Sequence, residues 1–493
     1  MNRLGKNVVY QVLYQLLAVV LPLVTSPYLS RTLGVAGLGI YSYSHSIVSY
    51  FLLFAMMGTG TYGTRRIAQS DGSGEVSQTF CEVYSCQLSF SLISVIAYVV
   101  LCCLFWQEHF LVQMLQVLFI LAEFVNVNWL FFGLEKYKLT VIRNLVIKIS
   151  TFALILLLVR DSEDLVVYTA IMAGGSFISN FLLWVTLPRY VKRTKISVSS
   201  VVRHIKPCII LFIPVLAASV YHVMDKTMLG MYSDEINSGY YYAADKLVNI
   251  PLTIITACCN VFMTRIAALM GRGKDHEAHA IQDDAICFGM WAVCAIAFGV
   301  AGVAEQFVPF FFGTGYEPCI ELVRIFALTI VARMIATHTR TAFLLPEKKD
   351  KVYTLAIVIG AILNLAANYV LICHFCLGAY GATVGTLIAE ISVCIVQIVC
   401  MGRCASRKRC VMGVLRNSVY AVCGLLMYSV IVRIDLFPNN LLASVIIKVL
   451  MGAMIYLTAC TVLWHTKKYS MPILLRSMMS DLLGIFKKNK ESC

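Results

Sequence analysis

Charged side chains inside long apolar runs are the residues of this sequence best placed to do chemistry. The segment SVYHVMDKTMLGMY, residues 219–232, carries Asp225 and Lys226 side by side, late in an apolar run that begins near Cys208. A charge deep in lipid costs roughly 2.5–3.5 kcal/mol on the most lenient insertion scales. Such residues as a rule face a bundle interior or a water-filled cavity, so we expect this pair to line one.

Positive charge is the common feature of the deepest candidates. Arg31 and Lys226 lie in the spans that open the two halves of the chain, and Arg333 lies deep in a later span. A cationic cavity attracts an anion, and phosphate is an obvious candidate. We therefore predict that these three residues bind an anionic group. The alternative is interhelical ion pairing that only holds the helix bundle together.

A second group of ionisable residues are candidates for coupling ions or for orienting the first group: Asp225, Asp245, Lys246, His45 and Glu390. Asp225 and Lys226 point about 100° apart on a helix, so they need not pair with each other. Imidazole titrates near neutrality, which suits His45 to proton relay. The alternative is that His45 is simply hydrogen-bonded in place.

The motifs of an enzyme are missing from this sequence. It has no Gly-rich phosphate loop with Lys, no HExxH and no nucleophile elbow. The one CxxC, Cys373 to Cys376, has no second pair, so we expect no metal site. We expect no cofactor either, and transport would run on a proton or sodium gradient or downhill.

The composition indicates a membrane protein. Of the 493 residues, 59% are hydrophobic and 13% charged, and the mean hydropathy is +0.80. Soluble domains are about 25% charged. The apolar residues come in runs of about 20, the length that crosses ~30 Å of hydrocarbon as a helix. The sequence therefore predicts an all-α polytopic membrane protein.

We predict fourteen spans, near 8–29, 38–60, 80–104, 110–132, 139–159, 165–187, 208–232, 239–263, 284–304, 318–343, 352–373, 378–401, 416–434 and 440–464. The run from Val8 to about Leu29 is too long for the core of a signal peptide, and no small-residue cleavage site follows it. Basic connections alternate with short acidic or neutral ones, which predicts cytoplasmic N- and C-termini. The net charge of +14 comes from basic residues in these connections, where they set the topology, so nucleic-acid binding is not expected.

The chain also shows a weak internal repeat. Residues 22–34 and 214–230 each run from a proline to a glycine, and Gly39 and Gly239 each open a following aromatic segment. The longest basic connection, 188–207, lies between these halves, and we interpret it as a topology-setting linker. Repeated halves around a central site are a recurring transporter plan. Pro22, Pro214 and Pro251 are candidate bend points.

Six segments together resemble a known family: PLVTSPYLSRTLGVAGLGIYSYSHSIVSYF at 22–51, NWLFFGLEKYKLTVIRNLVIKIS at 128–150, LFIPVLAASVYHVMDKTMLGMYS at 211–233, GYYYAADKLVNIPLTII at 239–255, FLLPEKKDKVYTLAIVIGAILNLAANYVLI at 343–372 and GAYGATVGTLIAE at 378–390. In order and spacing the chain resembles the polysaccharide-transporter flippases of the multidrug/oligosaccharidyl-lipid/polysaccharide exporter superfamily. These include the Wzx-type exporters of O-antigen and capsule repeat units. The resemblance covers nearly the whole chain.

The resemblance implies a MATE-like fold of two pseudo-symmetric six-helix lobes around a central cavity, plus two C-terminal helices. On this chain the parts would be an N-lobe at 1–187, the linker at 188–207, a C-lobe at 208–401, and two spans with a basic cytoplasmic tail at 402–493. The protein would be a multi-pass protein of the bacterial cytoplasmic membrane.

The resemblance also implies a substrate, an oligosaccharide joined by pyrophosphate to undecaprenol, in contact with membrane lipid. A polysaccharide polymerase and a chain-length regulator are the implied partners. By position, Arg31, Lys226 and Arg333 match the cationic residues that would bind the pyrophosphate. Asp225 would orient Lys226 or bind a coupling ion. Arg31 has no adjacent acid, so the charge pattern of the two halves is not fully symmetric.

Three rival functions remain open at this point. A multidrug exporter of the same superfamily would use an acidic, aromatic cavity built on Asp225, Asp245 and Glu390. A peptidoglycan-precursor lipid flippase would use the same chemistry on a different head group. An integral-membrane glycosyltransferase or polymerase would need a larger outer loop than the dozen residues found here.

Overall fold

The described part of the chain is all-helical, which confirms the predicted fold class. The structure is a computed structural model and describes residues 20–106, 108–402, 405–434, 440–466 and 471–472. Among these residues, eleven helical segments are long and apolar enough to cross a membrane, and a bent helix adds a twelfth. Residues 8–19 of the first predicted span and much of the predicted tail lie outside the described residues, so the count of fourteen stays a prediction.

The described chain forms two compact units, divided between Tyr242 and Ala243. In unit 1 the helices are α1 (20–32), α2 (Gly34–Met56), α3 (Thr59–Ala68), α4 (Gly72–Phe105), α5 (Phe110–Leu115), α6 (Val117–Phe124), α7 (Asn128–Gly133), α8 (Tyr137–Leu158), α9 (Leu165–Thr186) and α10 (Val198–Tyr232). Short 3₁₀ turns, Ser162–Asp164 and Leu187–Arg189, flank α9.

The boundary between the units falls inside α11 (Glu235–Met270). The helices that follow are α12 (Asp275–Phe312), α13 (Cys319–His338), α14 (Asp350–Asn368), α15 (Gly378–Cys400), α16 (Ala405–Asn417), α17 (Val419–Ile431) and α18 (Leu441–His465). One π-helical turn, Thr339–Leu344, follows α13, and another, Tyr369–His374, follows α14. The predicted lobe and linker boundaries are not tested by this division and stay predictions.

Unit 1 is built around α2, which packs against α4, α6 and α10. Helices in a membrane associate by close packing, which favours small residues where they cross. A Cβ on Gly39 would lie 1.8 Å from the backbone oxygen of Glu235, and one on Gly239 would lie 2.1 Å from that of Val35. The two glycines that open the repeated aromatic segments thus let α2 and the start of α11 touch through their backbones.

Unit 2 is built around α12, which packs against α13, α17 and α18. Helix α15 packs against both α13 and α14. Helix α13 occupies the span predicted at 318–343 but carries Glu321, Arg324 and Arg333, and it is not among the eleven apolar segments. The charges of α13 therefore need partners on its neighbours.

Helix α10 begins inside the predicted linker. Ser197 caps it by accepting the backbone N–H of Ser200, so residues 198–207 form its first turns. Glu82 on α4 is buried and accepts hydrogen bonds from Arg203 Nη2 at 2.6 Å and His204 Nε2 at 2.9 Å. This ion-paired cluster attaches the start of α10 to α4. Farther along, α10 bends by 49° between Ile213 and Val215, as expected at Pro214 because proline has no N–H to donate.

Candidate functional site

The predicted Asp225–Lys226 pair lies on α10 among the tyrosines that open α11. Asp225 is buried, and its carboxylate accepts a hydrogen bond from the Tyr241 hydroxyl at 2.5 Å. The Lys226 ammonium lies 5.8 Å from the centre of the Tyr242 ring, in the cation–π arrangement. Thr227, one residue on, donates to Ser46 on α2 at 2.9 Å. The acid and the base therefore have different tyrosine partners, as expected from their 100° separation on the helix.

His45 belongs to the same region of unit 1. Its Nδ1 is 3.3 Å from Oε1 of Gln116, and its ring stacks on Tyr41 with centroids 5.6 Å apart. Ser46, the next residue on α2, accepts the hydrogen bond from Thr227, which follows Lys226 on α10. The structure thus brings His45, Asp225 and Lys226 into one polar region between α2 and α10.

Arg31 lies on the last turn of α1, and its side chain is exposed. The preceding turn is fixed by Tyr28, whose hydroxyl donates to the Val159 carbonyl at 2.5 Å. Arg31 is thus presented from a helix that is fixed to the end of α8. Its predicted role in binding pyrophosphate stays a prediction.

Three predicted residues of unit 2 form one network. Arg333 on α13 donates from Nε to Glu390 on α15 at 2.5 Å, and from Nη1 to the Asn249 amide oxygen at 3.1 Å. Asn249 in turn donates to Asp245 on α11 at 2.7 Å. The side chains of Arg333 and Glu390 are only 16% and 6% exposed. Lys246 follows Asp245 on the same helix and is half-buried. This geometry is that of an ion pair joining three helices, the alternative left open for such charges.

A polar pocket in unit 1 was not predicted from the sequence. It is a cavity of about 1020 Å³ between α3, α8, α9 and the break that separates α6 from α7. We call it the amide pocket, after the side chains of Asn126, Asn128, Asn144 and Asn180 that line it. The predicted span at 110–132 is therefore not a continuous helix.

Four side-chain amides and Arg143 form a chain of hydrogen bonds along the wall of the amide pocket. The Arg143 Nη2 donates to Asn128 at 3.0 Å and to Asn144 at 2.6 Å. Asn128 donates to Asn126 at 2.7 Å and to Asn180 at 3.1 Å. Asn126 donates to the carboxylate of Glu123 at 2.7 Å. The network ties α8 and α9 to the helix break.

The backbone carbonyls at the break accept hydrogen bonds from side chains that are distant in sequence. Gln87 Nε2 donates to the carbonyls of Glu123 at 2.8 Å and Asn126 at 2.9 Å. The carbonyls of Ala122, Phe124 and Val125 accept from three further side chains, namely Asn180 at 2.9 Å, Tyr84 at 3.2 Å and Trp184 at 2.8 Å. Irregular backbone at membrane depth is tolerated only where such partners or a cavity satisfy it. The break in the helix is therefore stabilised by the surrounding side chains.

Helix α8 turns one polar face toward the amide pocket. The residues of α8 that line it are Arg143, Asn144, Ile147, Lys148 and Thr151, at the spacing of one helix face. The opposite face shows exposed Ile142, Val146 and Ile149. This pattern is already present in VIRNLVIKIST at 141–151, whose polar residues recur at the spacing of one helix face. The helix break has no comparable signal, because no glycine or proline accompanies it.

Comparison with known proteins gives a family and a fold. The family described as "Polysaccharide biosynthesis protein" matches residues 4–265. A protein of Shigella dysenteriae named "Putative O-antigen transporter" is 22% identical over 378 residues, 76% of this chain and 93% of the relative. An Escherichia coli (strain K12) protein of the same name is 22% identical over 327 residues, 65% of this chain and 79% of the relative.

Two solved structures share the fold at low sequence identity. The lipid II flippase MurJ, in an inward closed conformation, superposes with a TM-score of 0.73 at 14% identity, covering 94% of this chain and 100% of MurJ. An inward-facing multidrug resistance MATE family transporter of the MOP superfamily gives 0.56 at 14% identity, covering 80% and 98%. The chain belongs to the polysaccharide biosynthesis protein family and is a multi-pass bacterial membrane protein with the MurJ- and MATE-like transporter fold.

Proposed function

We propose that the protein is a flippase that moves undecaprenyl-pyrophosphate-linked oligosaccharide repeat units across the bacterial cytoplasmic membrane for surface polysaccharide synthesis. The observation that carries this proposal is the match to two relatives named as O-antigen transporters, each over most of its own length. The polar region around Lys226 and the amide pocket support it, because both place cations in a segment of the chain built from membrane spans.

The lipid-linked substrate explains why only part of the membrane path needs to be polar. The prenyl tail stays in hydrocarbon while the pyrophosphate and sugars cross, so only the head group requires partners. Lys226 contacts the pyrophosphate in this scheme, and Arg31 and Arg333 are further candidates for such a contact. Access alternates between the two sides of the membrane as the two predicted lobes rock against each other.

The finer features of the proposal concern orientation, coupling and partners. Both termini lie in the cytoplasm, where the basic connections place them. Asp225, His45, Asp245, Lys246 and Glu390 are the candidates for binding a proton or a sodium ion. A polymerase and a chain-length regulator act on the exported unit.

Deletion of the gene tests the flippase proposal directly. We expect polyprenyl-pyrophosphate-linked oligosaccharide to accumulate at the inner leaflet while surface polysaccharide is lost. The wild-type gene should reverse both changes, Lys226→Ala should reverse neither, and Lys226→Arg should retain part of the activity. Membrane insertion of each variant is checked by immunoblotting of the membrane fraction.

Two outcomes would contradict the proposal in different ways. Normal export by Lys226→Ala would remove Lys226 from the site. Unchanged glycolipid combined with new sensitivity to cationic drugs would indicate a multidrug exporter, with Asp225, Asp245 and Glu390 as its candidate residues.

A further inference from the structure

The charge balance of the amide pocket is its most informative property. Among the described residues that line it are three cations, Arg65, Arg143 and Lys148, and one carboxylate, Glu123. Glu123 also accepts a hydrogen bond from Asn126, which occupies one of its oxygens. The pocket therefore presents an excess of positive charge, and a ligand that balances it carries negative charge.

The size of the pocket accommodates a ligand much larger than a small ion. Its volume of about 1020 Å³ is at the upper end of the range of ligand sites, about 300–1000 Å³, and far exceeds the space of one phosphate. A ligand of this size has several groups to bind. The wall must therefore offer more than charge.

The remaining wall suits a carbohydrate. Its hydrogen-bonding groups are amides and hydroxyls, which can both donate to and accept from sugar hydroxyls: Asn126, Asn128, Asn144, Asn180, Thr61, Thr64, Thr151, Ser176 and Ser179. Phe132 also lines the pocket, is 38% exposed, and offers an apolar ring to the C–H face of a pyranose. Gly175 lets α9 approach α8 closely at this wall, since a Cβ there would lie 2.4 Å from the Thr151 methyl.

The pocket is also rigid before any ligand enters. Its asparagines are hydrogen-bonded to each other, to Arg143 and to backbone, and the carbonyls at the helix break accept hydrogen bonds from side chains. A wall fixed in this way binds without first losing side-chain freedom, which raises affinity.

We propose that the amide pocket binds the saccharide of the substrate and selects sugar units that carry a carboxylate, with Arg143 and Lys148 contacting that group. This inference rests on the proposed function for the source of the saccharide. It assigns the sugar to a site in unit 1 built from residues other than Arg31, Lys226 and Arg333. Arg65, exposed at the end of α3, adds long-range attraction at the edge of the pocket.

A binding experiment on the purified full-length protein in detergent tests the assignment. The probes are cellobiouronic acid, a disaccharide with a carboxylate, and cellobiose, its neutral analogue, both followed by ligand-observed NMR. We expect the acid to bind about tenfold more tightly, the value of one charge-assisted hydrogen bond. Lys148→Gln and Arg143→Gln should each remove most of that preference.

Matched controls separate charge from fold. Arg160→Gln makes the same change just beyond the end of α8, where the arginine is exposed and outside the pocket, and it should leave both affinities unchanged. Ser176→Phe fills the pocket without removing a charge and should weaken both sugars. Should Arg143→Gln prove unstable, Lys148→Gln and Ser176→Phe carry the test, since the first keeps a long polar side chain and the second removes no charge.

Three results with the two sugars would overturn the inference. They are equal binding of the two sugars, an acid preference that survives Lys148→Gln and Arg143→Gln, and absence of binding of either sugar. Tighter binding of inorganic pyrophosphate in competition with the acid would also overturn it, by making the pocket a phosphate site. The binding experiment does not depend on transport. Its failure would therefore leave the flippase proposal standing, and failure of the export assay would leave the binding result standing.

Discussion

The amide pocket of unit 1 and the Arg333 network of unit 2 place arginines in similar helical settings with opposite consequences. In unit 2, Arg333 is matched by a buried carboxylate, Glu390, and reaches a second, Asp245, through Asn249. In the described lining of the amide pocket, cations outnumber carboxylates and border an open cavity. A charge in a membrane helix is therefore weak evidence for a site by itself. Whether such a charge has a structural role or binds a ligand depends on the charges that surround it and on whether it borders a cavity.

The largest effect on stability is expected for Arg333→Met. The substitution leaves Glu390 buried without its guanidinium partner, which costs about 3–5 kcal/mol in measured cases. The check is the thermal unfolding temperature of the protein in detergent.

The double variant Arg333→Met and Glu390→Met serves as the control for this change. It removes both charges and should recover most of the lost stability, because an apolar pair of similar volume often replaces a buried ion pair without loss. Equal instability of the single and double variants would contradict the structural interpretation of this pair. Normal stability with lost export in the double variant would favour the anion-binding role of Arg333.

A smaller effect is expected for Trp184→Phe at the helix break. The substitution keeps an aromatic ring, but the Val125 carbonyl oxygen loses the hydrogen bond that it accepts from the indole Nε1 at 2.8 Å. An unsatisfied buried carbonyl costs about 1–3 kcal/mol. Thermal unfolding measures the loss, and Trp464→Phe, where the indole donates to a tyrosine hydroxyl, is the comparison. An unchanged unfolding temperature would mean that the break is not held by this bond.

Arg143→Met sharpens the comparison most directly. Two hydrogen bonds to Asn128 and Asn144 are lost at a half-buried position, so we expect about 1–2 kcal/mol of destabilisation, below that of Arg333→Met. Both variants are measured under the same detergent conditions. A loss as large as that of Arg333→Met would place Arg143 among the structural charges and remove the contrast between the two regions.

The smallest effect is expected for Glu321→Gln. This carboxylate pairs with Arg324 on the same helix, but its side chain is 54% exposed. Exposed ion pairs contribute about 0–1 kcal/mol. A shift in unfolding temperature comparable with that of Arg333→Met would show that burial does not separate the two kinds of pair.

The helical membrane fold was predictable because its signal is local. Runs of apolar residues mark the spans, and the structure places helices at the predicted segments wherever it describes them. The polar face of α8 was also present in the spacing of Arg143, Asn144, Lys148 and Thr151. The polar face of α8 can be interpreted as one side of a pocket only when the helices opposite it are known.

The helix break and the network of unit 2 could not be predicted in the same way. The break at 125–127 depends on Gln87, Asn180 and Trp184, which lie roughly 40 to 60 positions away in sequence. Arg333 and Glu390 are separated by 57 positions. Pairings of this kind are set by helix packing, and one sequence does not encode which of many distant polar residues will meet.

Helix α10 is fixed at its start and bent in its middle. Its first turns are held to α4 through Glu82, Arg203 and His204, and its bend lies at Pro214. Lys226 is twelve residues beyond that proline, about 18 Å along the helix axis. With its first turns held to α4, the helix would displace Lys226 if the bend at Pro214 changed. Each ten degrees of bending would carry its backbone about 3 Å, which makes a small angular change sufficient to move the residue past a hydrogen-bonding distance.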